Sequence, residues 1–340
     1  MIQKGKILIA ANCRVEQVVL DAIEQSTHCK VEIEFIDSIG SKSINGLKRH
    51  LSYIKVAYHV LQRCDQYSTI IFWQQFIGIY YTLLVFLFGK TGKTAPVIIL
   101  TLIYLQRNGL KGKLHRYIYE KTVNAGFISR MVCHSSTEKR YYTEQFGKIN
   151  RDKFVFLPIG EGVVQPAFDT SAGDYFFAGG TSNRDYNILL NAFGEIDDKL
   201  IIACEPNDIA GLHIPENVRV LHGVYNDDFL KLMAEAKAIL ITLNDPNVSA
   251  GQLVLLNAMR LQKVSIITRG NGMSDYASKT NSLLSNPADK DDLITQLQYV
   301  NKNPELIRKM GIEAEQEYED NFTYRKYGQN IGELINEISK

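Results

Sequence analysis

The sequence predicts two doubly wound α/β domains in tandem, facing each other across a cleft. Three observations carry that expectation. The chain has 340 residues, enough for two cores of ordinary size. Apolar, strand-like runs alternate with segments of helical period through both halves, the rhythm of a parallel sheet covered by helices on both faces. The alternation is interrupted between residues 147 and 166, where Pro158, Gly160, Gly162 and Pro166 cluster, and this break divides it into two blocks.

In the first block Lys6 to Ala11 reads as a buried strand, Val15 to Gln25 as a helix and Val31 to Ile36 as a second strand. Leu47, Leu51, Ile54, Tyr58 and Leu61 recur at helical spacing and predict a helix with those residues as its apolar stripe. Thr69 to Trp73 is a strand with a helix after it up to Phe88. Beyond the breakers Gly89, Gly92 and Pro96 come a strand from Val97 to Tyr104, a helix from Leu110 to Asn124 and a short strand from Met131 to Cys133. The second block runs strand Tyr175 to Ala178, helix Asn187 to Phe193, strands Leu200 to Cys204 and Val218 to Leu221, then helix Asp227 to Ala236. Strand Ala238 to Thr242, helix Gln252 to Leu261 and strand Val264 to Thr268 complete it. Open sheets of this kind bind ligands outside the carboxyl ends of their strands.

The uncharged stretch between Asp65 and Lys90 is long enough to raise a membrane span. Gln74, Gln75, Gly78 and Thr82 interrupt it, and it divides into a strand and a buried core helix that fit the rhythm. A helix with one greasy face resting on a membrane is the alternative. The composition, 45% hydrophobic and 22% charged, is that of a soluble globular protein. The apolar run Ile7 to Ala11 is too short for a signal peptide. The five cysteines (Cys13, Cys29, Cys64, Cys133, Cys204) are scattered, odd in number and without CxxC spacing. They read as buried free thiols in a reducing cytosol, with no zinc site. The net charge of +1 conceals an asymmetry: residues 1–150 hold 20 Lys/Arg and 10 Asp/Glu, residues 151–340 hold 18 and 27. The first half is therefore expected to face something anionic.

Two segments carry chemistry. In Tyr175-Phe-Phe-Ala-Gly-Gly-Thr-Ser-Asn-Arg184 a buried strand ends in Gly179-Gly180, and a polar loop leads into an amphipathic helix. Glycines allow close backbone approach to a ligand, the helix start offers free N–H groups to an anion, and a guanidinium beside them neutralises a diphosphate. The pattern is neither GxGxxG nor a P-loop. In Ser249-Ala-Gly-Gln-Leu-Val-Leu-Leu-Asn-Ala-Met259 small residues open a helix that follows a strand, a second anion cradle. Asn257 lies eight residues after Ser249, so both are expected on one side of that helical start. Asp227-Asp228 and Asp291-Asp292 fall at helix starts and read as caps.

From about Val155 to Phe322 the chain resembles the donor-binding domain of GT-B glycosyltransferases, glycosyltransferase family 4 in particular. The matching features are Val155-Phe-Leu-Pro-Ile-Gly160, Gly179-Gly180 with Arg184, the run Gly251 to Met259, the strand Lys263 to Thr268, Asn271-Gly-Met-Ser-Asp-Tyr276 and Asn321-Phe-Thr. The first half resembles the family only in architecture and in His134-Ser-Ser-Thr-Glu-Lys-Arg-Tyr-Tyr. The resemblance implies the GT-B fold, with an acceptor-binding domain over residues 1–153, a nucleotide-sugar-binding domain over 154–320 and a closing helix over 321–340 that returns to the first domain. It implies a hexosyltransferase working with retention of configuration, without metal ion or other cofactor, the nucleotide-diphosphate sugar being the donor substrate. The donor-binding residues it implies are Gly179, Gly180, Thr181, Arg184, Val224, Ser249, Ala250, Gly251, Gln252 and Asn257, with Arg184 and Ser249 catalytic. Arg184 matches the family's diphosphate-binding basic residue, and Gly251 and Gln252 match the helix start facing the phosphates. Ser249 and Asn257 fall where the family has two glutamates, so both hydrogen-bonding positions are neutral here. The family's amino-domain histidine has no match near Ile103; His115 and His134 read as structural or surface histidines.

The acceptor or membrane face is expected on the basic half, at Lys48, Lys55 and Arg63 of the helix that opens at Leu47 and at Lys111 and Lys113. Nucleic acid is not expected as a partner, because no groove-reading motif or stacking platform accompanies the charge. A glycan or lipid-linked acceptor on the cytoplasmic face of an anionic membrane fits better, within cell-surface polysaccharide or glycoconjugate synthesis. The competing readings are a non-catalytic GT-B subunit stabilising a partner glycosyltransferase, motivated by the two missing glutamates, and a sugar-nucleotide epimerase.

Overall fold

Among the described residues twelve short strands, most of them near-continuous apolar runs, form two six-stranded sheets with every pairing between strands parallel. Strands buried on both faces lack polar alternation, which is why the sequence shows apolar runs rather than a period of two. The computed structural model describes residues 5–35, 46–90, 94–104, 106–146, 151–162, 168, 170 and 173–339.

The first sheet contains β1 (Lys6–Ala11), β2 (Lys30–Phe35), β3 (Thr69–Phe72), β4 (Val97–Ile99), β5 (Ile128–Cys133) and β6 (Phe154–Phe156), in the order β2-β1-β3-β4-β5-β6. Along β1, Leu8 and Ala10 face one core while Ile7, Ile9 and Ala11 face the other, as a strand's alternating side chains require. The first core is closed by α2 (Gly46–Arg63), α3 (Gln75–Leu87), α4 (Gly109–Asn124) and α5 (Ser136–Phe146). The second is closed by α1 (Gln17–Thr27) and α11 (Tyr324–Ile338). The second sheet contains β7 (Tyr175–Gly179), β8 (Lys199–Ala203), β9 (Val218–Leu221), β10 (Ile239–Ile241), β11 (Ser265–Thr268) and β12 (Ser282–Ser285), in the order β12-β11-β10-β7-β8-β9. Phe176 and Ala178 of β7 pack toward α6 (Tyr186–Phe193) and α9 (Lys290–Lys302). Phe177 packs toward α7 (Asn226–Ala234), α8 (Gln252–Arg260) and α10 (Pro304–Asn321).

The chain divides into two compact units, Met1–Leu157 with Tyr324–Lys340, and Pro158–Thr323. The strand Phe154–Phe156, which the expected boundary at residue 154 gives to the second domain, pairs with β5 in the first sheet; three apolar residues beside a break carry too little pattern to be seen as a strand. The closing segment joins the first unit through α11, which lies on α1. A Cβ added at Gly328 would stand 2.6 Å from the Val19 carbonyl oxygen and 2.7 Å from Ala22 Cβ, so the two helices meet at a distance only glycine permits. Gly328→Leu is expected to destabilise this unit by about 1–3 kcal/mol through overpacking, read as a lower denaturant midpoint at unchanged slope; an unchanged midpoint would contradict the close contact.

Several expectations are corrected. Of the five residues of the expected α2 stripe, Leu47, Leu51, Ile54 and Tyr58 are exposed, and only Leu61 is buried, together with Tyr53, Val56, Ala57 and Val60. The helix has two apolar stripes, and spacing cannot say which one meets the sheet. The strand expected from Val97 to Tyr104 ends at Ile99. Beyond it the Ile103 N–H donates to Gln75 Oε1 at 2.7 Å and the Tyr104 N–H to the Tyr142 hydroxyl at 3.1 Å, so side chains replace the ladder. The apolar stretch before Lys90 is a strand plus the 13-residue α3. Among the described residues no helix is long and apolar enough to cross a membrane. Asp227 and Asp228 lie in the first turn of α7 without capping it, and α9 is capped by Asp289, whose carboxylate accepts from the Asp292 N–H at 3.0 Å. Cys13 is exposed and Cys29 half-buried, whereas Cys64, Cys133 and Cys204 are buried.

Candidate functional site

In the second sheet the chain runs β7, β8, β9 toward one edge, then returns to lay β10, β11 and β12 on the other side of β7. β7 and β10 are therefore adjacent, with Phe177 opposite Ile239 and Ala178 opposite Leu240. Connections leave them in opposite directions, which opens a crevice at their carboxyl ends, the place where doubly wound sheets bind ligands. Both chemistry-bearing segments of the sequence emerge there. β7 ends at Gly179 and its loop enters α6; the loop after β10 enters α8.

The two loops are laced together. The Asp185 N–H donates to the Thr242 carbonyl at 3.0 Å, and Asn244 Nδ2 to the Arg184 carbonyl at 2.7 Å. Asn183 Nδ2 donates to the Asp245 carbonyl at 2.8 Å, while the Asp245 N–H returns to Asn183 Oδ1 at 3.0 Å. Asp185 caps α6 through the Ile188 N–H at 3.0 Å.

This lacing holds the Arg184 side chain in place. Its Nε donates to the Gly179 carbonyl at 3.1 Å and its Nη1 to the Ser182 carbonyl at 2.8 Å. A Cβ at Gly180 would meet Arg184 Nη2 at 3.0 Å, and one at Gly251 would meet Nη1 and Nη2 at 3.6 and 3.7 Å. The guanidinium thus sits between the two glycines, at the amino end of α8. Burial pushes its pKa down, with the Tyr186 phenol partly opposing. Its acceptors are neutral carbonyls, and among the described residues no carboxylate pairs with it. A desolvated cation with only dipolar partners favours the arrival of an anion. Gly251 is the N-cap of α8 with φ +97°, a left-handed conformation; the first turn of such a helix presents N–H groups without intrahelical partners.

Ala250 is buried beside this helix start and Gln252 begins the helix, its Nε2 donating to Ser249 Oγ. The serine hydroxyl retains its own proton for a ligand. Asn257 lies on the second turn of α8, and its Nδ2 donates to the Leu253 carbonyl at 2.8 Å, leaving Oδ1 as acceptor. Ser249 precedes the helix and Asn257 stands about 8 Å along the axis from its start, at a rise of about 1.5 Å per residue.

Beside the glycines, a cavity of about 300 Å³ opens at the ends of β7, β8 and β9. Gly180, Thr181 and Val224 line it, as do Glu205, Tyr225 and Phe229, three residues that sequence reasoning missed. The Tyr225 hydroxyl donates to Glu205 Oε1, and the Phe229 ring crosses Phe177 edge-on at 5.1 Å between centroids. Glu205 directly follows an expected strand's carboxyl end, and that position was the available signal. Burial pushes the Cys204 thiol there up to about 11, so it stays protonated at neutral pH. Among the described residues no group of three or more His, Cys, Asp or Glu side chains could hold a metal ion.

The basic residues lie elsewhere, in the first unit. Lys48, Lys55, Lys111 and Lys113 are exposed. Arg63 is drawn to β2 instead, with Nη2 at 2.5 Å from Glu34 Oε2, and His59 Nδ1 lies 3.5 Å from the same carboxylate. His134 Nδ1 bonds the Leu157 carbonyl at 3.0 Å, and His115 stacks on Tyr104 with ring centroids 5.3 Å apart. Burial holds the pKa of both histidines below the ordinary value.

No protein-family model and no curated protein matches the chain. Solved structures do match over its whole length. Sucrose-phosphate synthase from Thermosynechococcus elongatus superposes with a TM-score of 0.70 at 11% identity, covering 98% of this chain and 99% of that one. A glycosyltransferase from Rickettsia africae gives 0.67 at 14% identity, with 99% of each chain covered. HepE from Anabaena, solved in complex with UDP, gives 0.65 at 15% identity, covering 98% of this chain and 100% of that one. The two Rossmann-like units of this chain therefore make up the GT-B fold of these glycosyltransferase structures.

Proposed function

We propose that the chain is a glycosyltransferase whose donor, a nucleotide-diphosphate sugar, binds at the carboxyl ends of β7 and β10. The observation that carries this reading is the Arg184 guanidinium, held by two carbonyls between Gly180 and the amino end of α8. The donor diphosphate supplies the anion that this position lacks. The nucleoside occupies the cavity beside Thr181 and Val224, with the Phe229 ring on its apolar side and Glu205 and Tyr225 at its polar rim. HepE, of the same fold, was also solved with UDP-glucose, which supports a donor of this chemical class.

In the proposed reaction an acceptor hydroxyl of a glycan or lipid-linked sugar attacks the anomeric carbon as the bond to the β-phosphate oxygen breaks. Negative charge grows on the departing diphosphate. Arg184 and the free N–H groups of Gln252 and the following residues stabilise that charge, an electrostatic contribution available without a metal ion. Ser249 meets the donor sugar and Asn257 Oδ1 accepts from a ribose hydroxyl. Transfer with retention places the attack on the leaving-group face, where the departing phosphate takes the acceptor proton. A hexosyl donor and a role in polysaccharide or glycoconjugate synthesis complete the proposal.

Nucleoside diphosphates and their sugars are expected to raise the unfolding temperature by mass action, and nucleosides far less. Absence of any shift across the uridine, guanosine, adenosine and thymidine series would overturn the donor site. Asn257→Ala is expected to weaken donor binding by about 1–3 kcal/mol, since a ribose hydroxyl loses a partner in a dry site. One feature favours a second reading, a non-catalytic subunit: Ser249 and Asn257 are neutral, and each is already engaged within α8 or at its start. On that reading Asn257→Ala leaves the turnover of a complex with its partner enzyme unchanged.

A further inference from the structure

The outer face of α2, α3 and α4 combines two properties that soluble surfaces keep apart. The first is an apolar stripe. Leu47, Leu51, Ile54 and Tyr58 follow one another at helical spacing on α2 and are all exposed, Leu47 by 68% and Leu51 by 56%. α3 runs alongside α2 in the same direction: His50 Nδ1 meets the Tyr80 hydroxyl at 2.9 Å, and further along the Tyr58 and Phe88 rings lie 6.1 Å apart. The exposed Leu83, Leu87 and Phe88 at the end of α3 therefore continue the stripe, with Leu87 at 75% exposure. α4, on the same side of the sheet, adds exposed Leu110, Leu114 and Tyr117. Exposed apolar residues gathered into one continuous area mark an interaction surface, unlike single scattered ones.

The second property is charge. The three helices, residues 46–63, 75–87 and 109–124, carry eight Lys/Arg against one Asp/Glu. The helices on the opposite face of the same sheet, residues 17–27 and 324–338, carry two Lys/Arg against four Asp/Glu. Lys48 and Lys55 are exposed on α2, Lys111 and Lys113 on α4, and Lys121 extends over the Tyr117 ring at 5.4 Å.

We propose that this face docks on an anionic phospholipid surface, with the apolar stripe sunk into the headgroup boundary and the lysines at the phosphates. Apolar residues flanked by lysines suit such an interface, where each component alone binds weakly. A second copy of the chain fits worse, because the same positive field would face itself across a symmetric contact. The proposal stands on the first unit alone and is independent of the sugar-nucleotide reading of the second.

The test is vesicle flotation of the full chain with phosphatidylcholine alone and with phosphatidylcholine containing phosphatidylglycerol. Binding is expected only to the mixed vesicles, and at least about tenfold weaker in 1 M than in 0.1 M salt, since the Debye length falls from about 10 to about 3 Å. Lys48→Gln combined with Lys55→Gln and Lys113→Gln should weaken it at least about tenfold. Leu51→Ser combined with Leu87→Ser, which leaves the charge unchanged, should do the same. Arg325→Gln, on α11, should leave binding as it is, and unchanged unfolding midpoints exclude misfolding in each variant. Equal binding to both vesicle types overturns the proposal, as does binding indifferent to either set of substitutions. A wild-type dimer that dissociates on Leu51→Ser with Leu87→Ser, without vesicle binding, also overturns it in favour of a second copy. Nucleotide stabilisation measured without vesicles keeps a failure here separate from a failure of the donor site.

Discussion

Gly251→Val is expected to abolish nucleoside-diphosphate binding, a loss of at least about a hundredfold, while the sheet remains folded. The backbone at Gly251 has φ +97°, a region that L side chains enter at a cost of about 1–2 kcal/mol. A Cβ there would also stand 2.7 Å from Ile241 Cγ2, so the helix start must shift or Ile241 must move. Either way the valine methyls intrude beside the guanidinium, 3.6–3.7 Å from where that Cβ would lie, in the space assigned to the diphosphate. Binding measured by calorimetry and folding by circular dichroism check the outcome. Gly251→Ala, with less bulk but the same backbone strain, should retain weakened binding. Undiminished binding by a folded Gly251→Val protein would remove α8 from the donor site.

Arg184→Ala is expected to weaken nucleoside-diphosphate binding by about ten- to a hundredfold, from a charge-assisted bond of roughly 1.5–3 kcal/mol. Nucleoside binding should change little, because the cavity proposed for the nucleoside is lined by Thr181, Val224 and Phe229 rather than by Arg184. Part of any general weakening would come from the loop, since the guanidinium also ties Gly179 to Ser182. Arg184→Lys separates the two effects. Lysine keeps a charge near the phosphates but cannot span both carbonyls with a planar fork, so it should recover part of the diphosphate affinity. Equal losses for nucleoside and diphosphate would sink the phosphate role of Arg184.

Both predictions rest on residues legible in the sequence. Gly179-Gly180 with Arg184 stand out because they break an apolar run at a strand end, and the small residues before Gln252 because they open an apolar helix; both signals are local. Glu205, Tyr225 and Phe229 were not legible. They reach the cavity from just beyond β8, from the N-cap of α7 and from its first turn, and apart from the place of Glu205 after a strand end nothing in their immediate neighbours distinguishes them from surface residues. The spacing of Asn257 from Ser249 was legible in the sequence and its role came only from resemblance; its amide turns back to Leu253 rather than standing free.

The fold divides the same way. The alternation of buried strands and amphipathic helices follows from the sequence alone, because burial on both faces leaves continuous apolar runs and one-sided burial leaves a period of about 3.6. β12 escaped that reading because its run Ser282–Ser285 holds only two apolar residues, and α5 because its exposed turns are largely polar. α2 shows the limit most clearly. Its sequence contains two apolar stripes, and the one with Tyr53, Val56 and Val60 is buried while Leu47, Leu51, Ile54 and Tyr58 remain outside. Periodicity states that a face is apolar; only packing against the sheet and α3 decides which face is used.

Two blocks of parallel α/β structure, the Gly179-Gly180 turn with Arg184 after it, and the basic excess of the first half are all readable from the sequence. Each of these is written in residues close together along the chain. Packing alone brings β10 back beside β7 and so sets Arg184 against Gly251. It also puts exposed lysines of α2 and α4 on the same side of the sheet as an exposed apolar stripe. Both are contacts between distant segments, fixed by strand order and by which helix face the core accepts, and neither leaves a trace in local spacing.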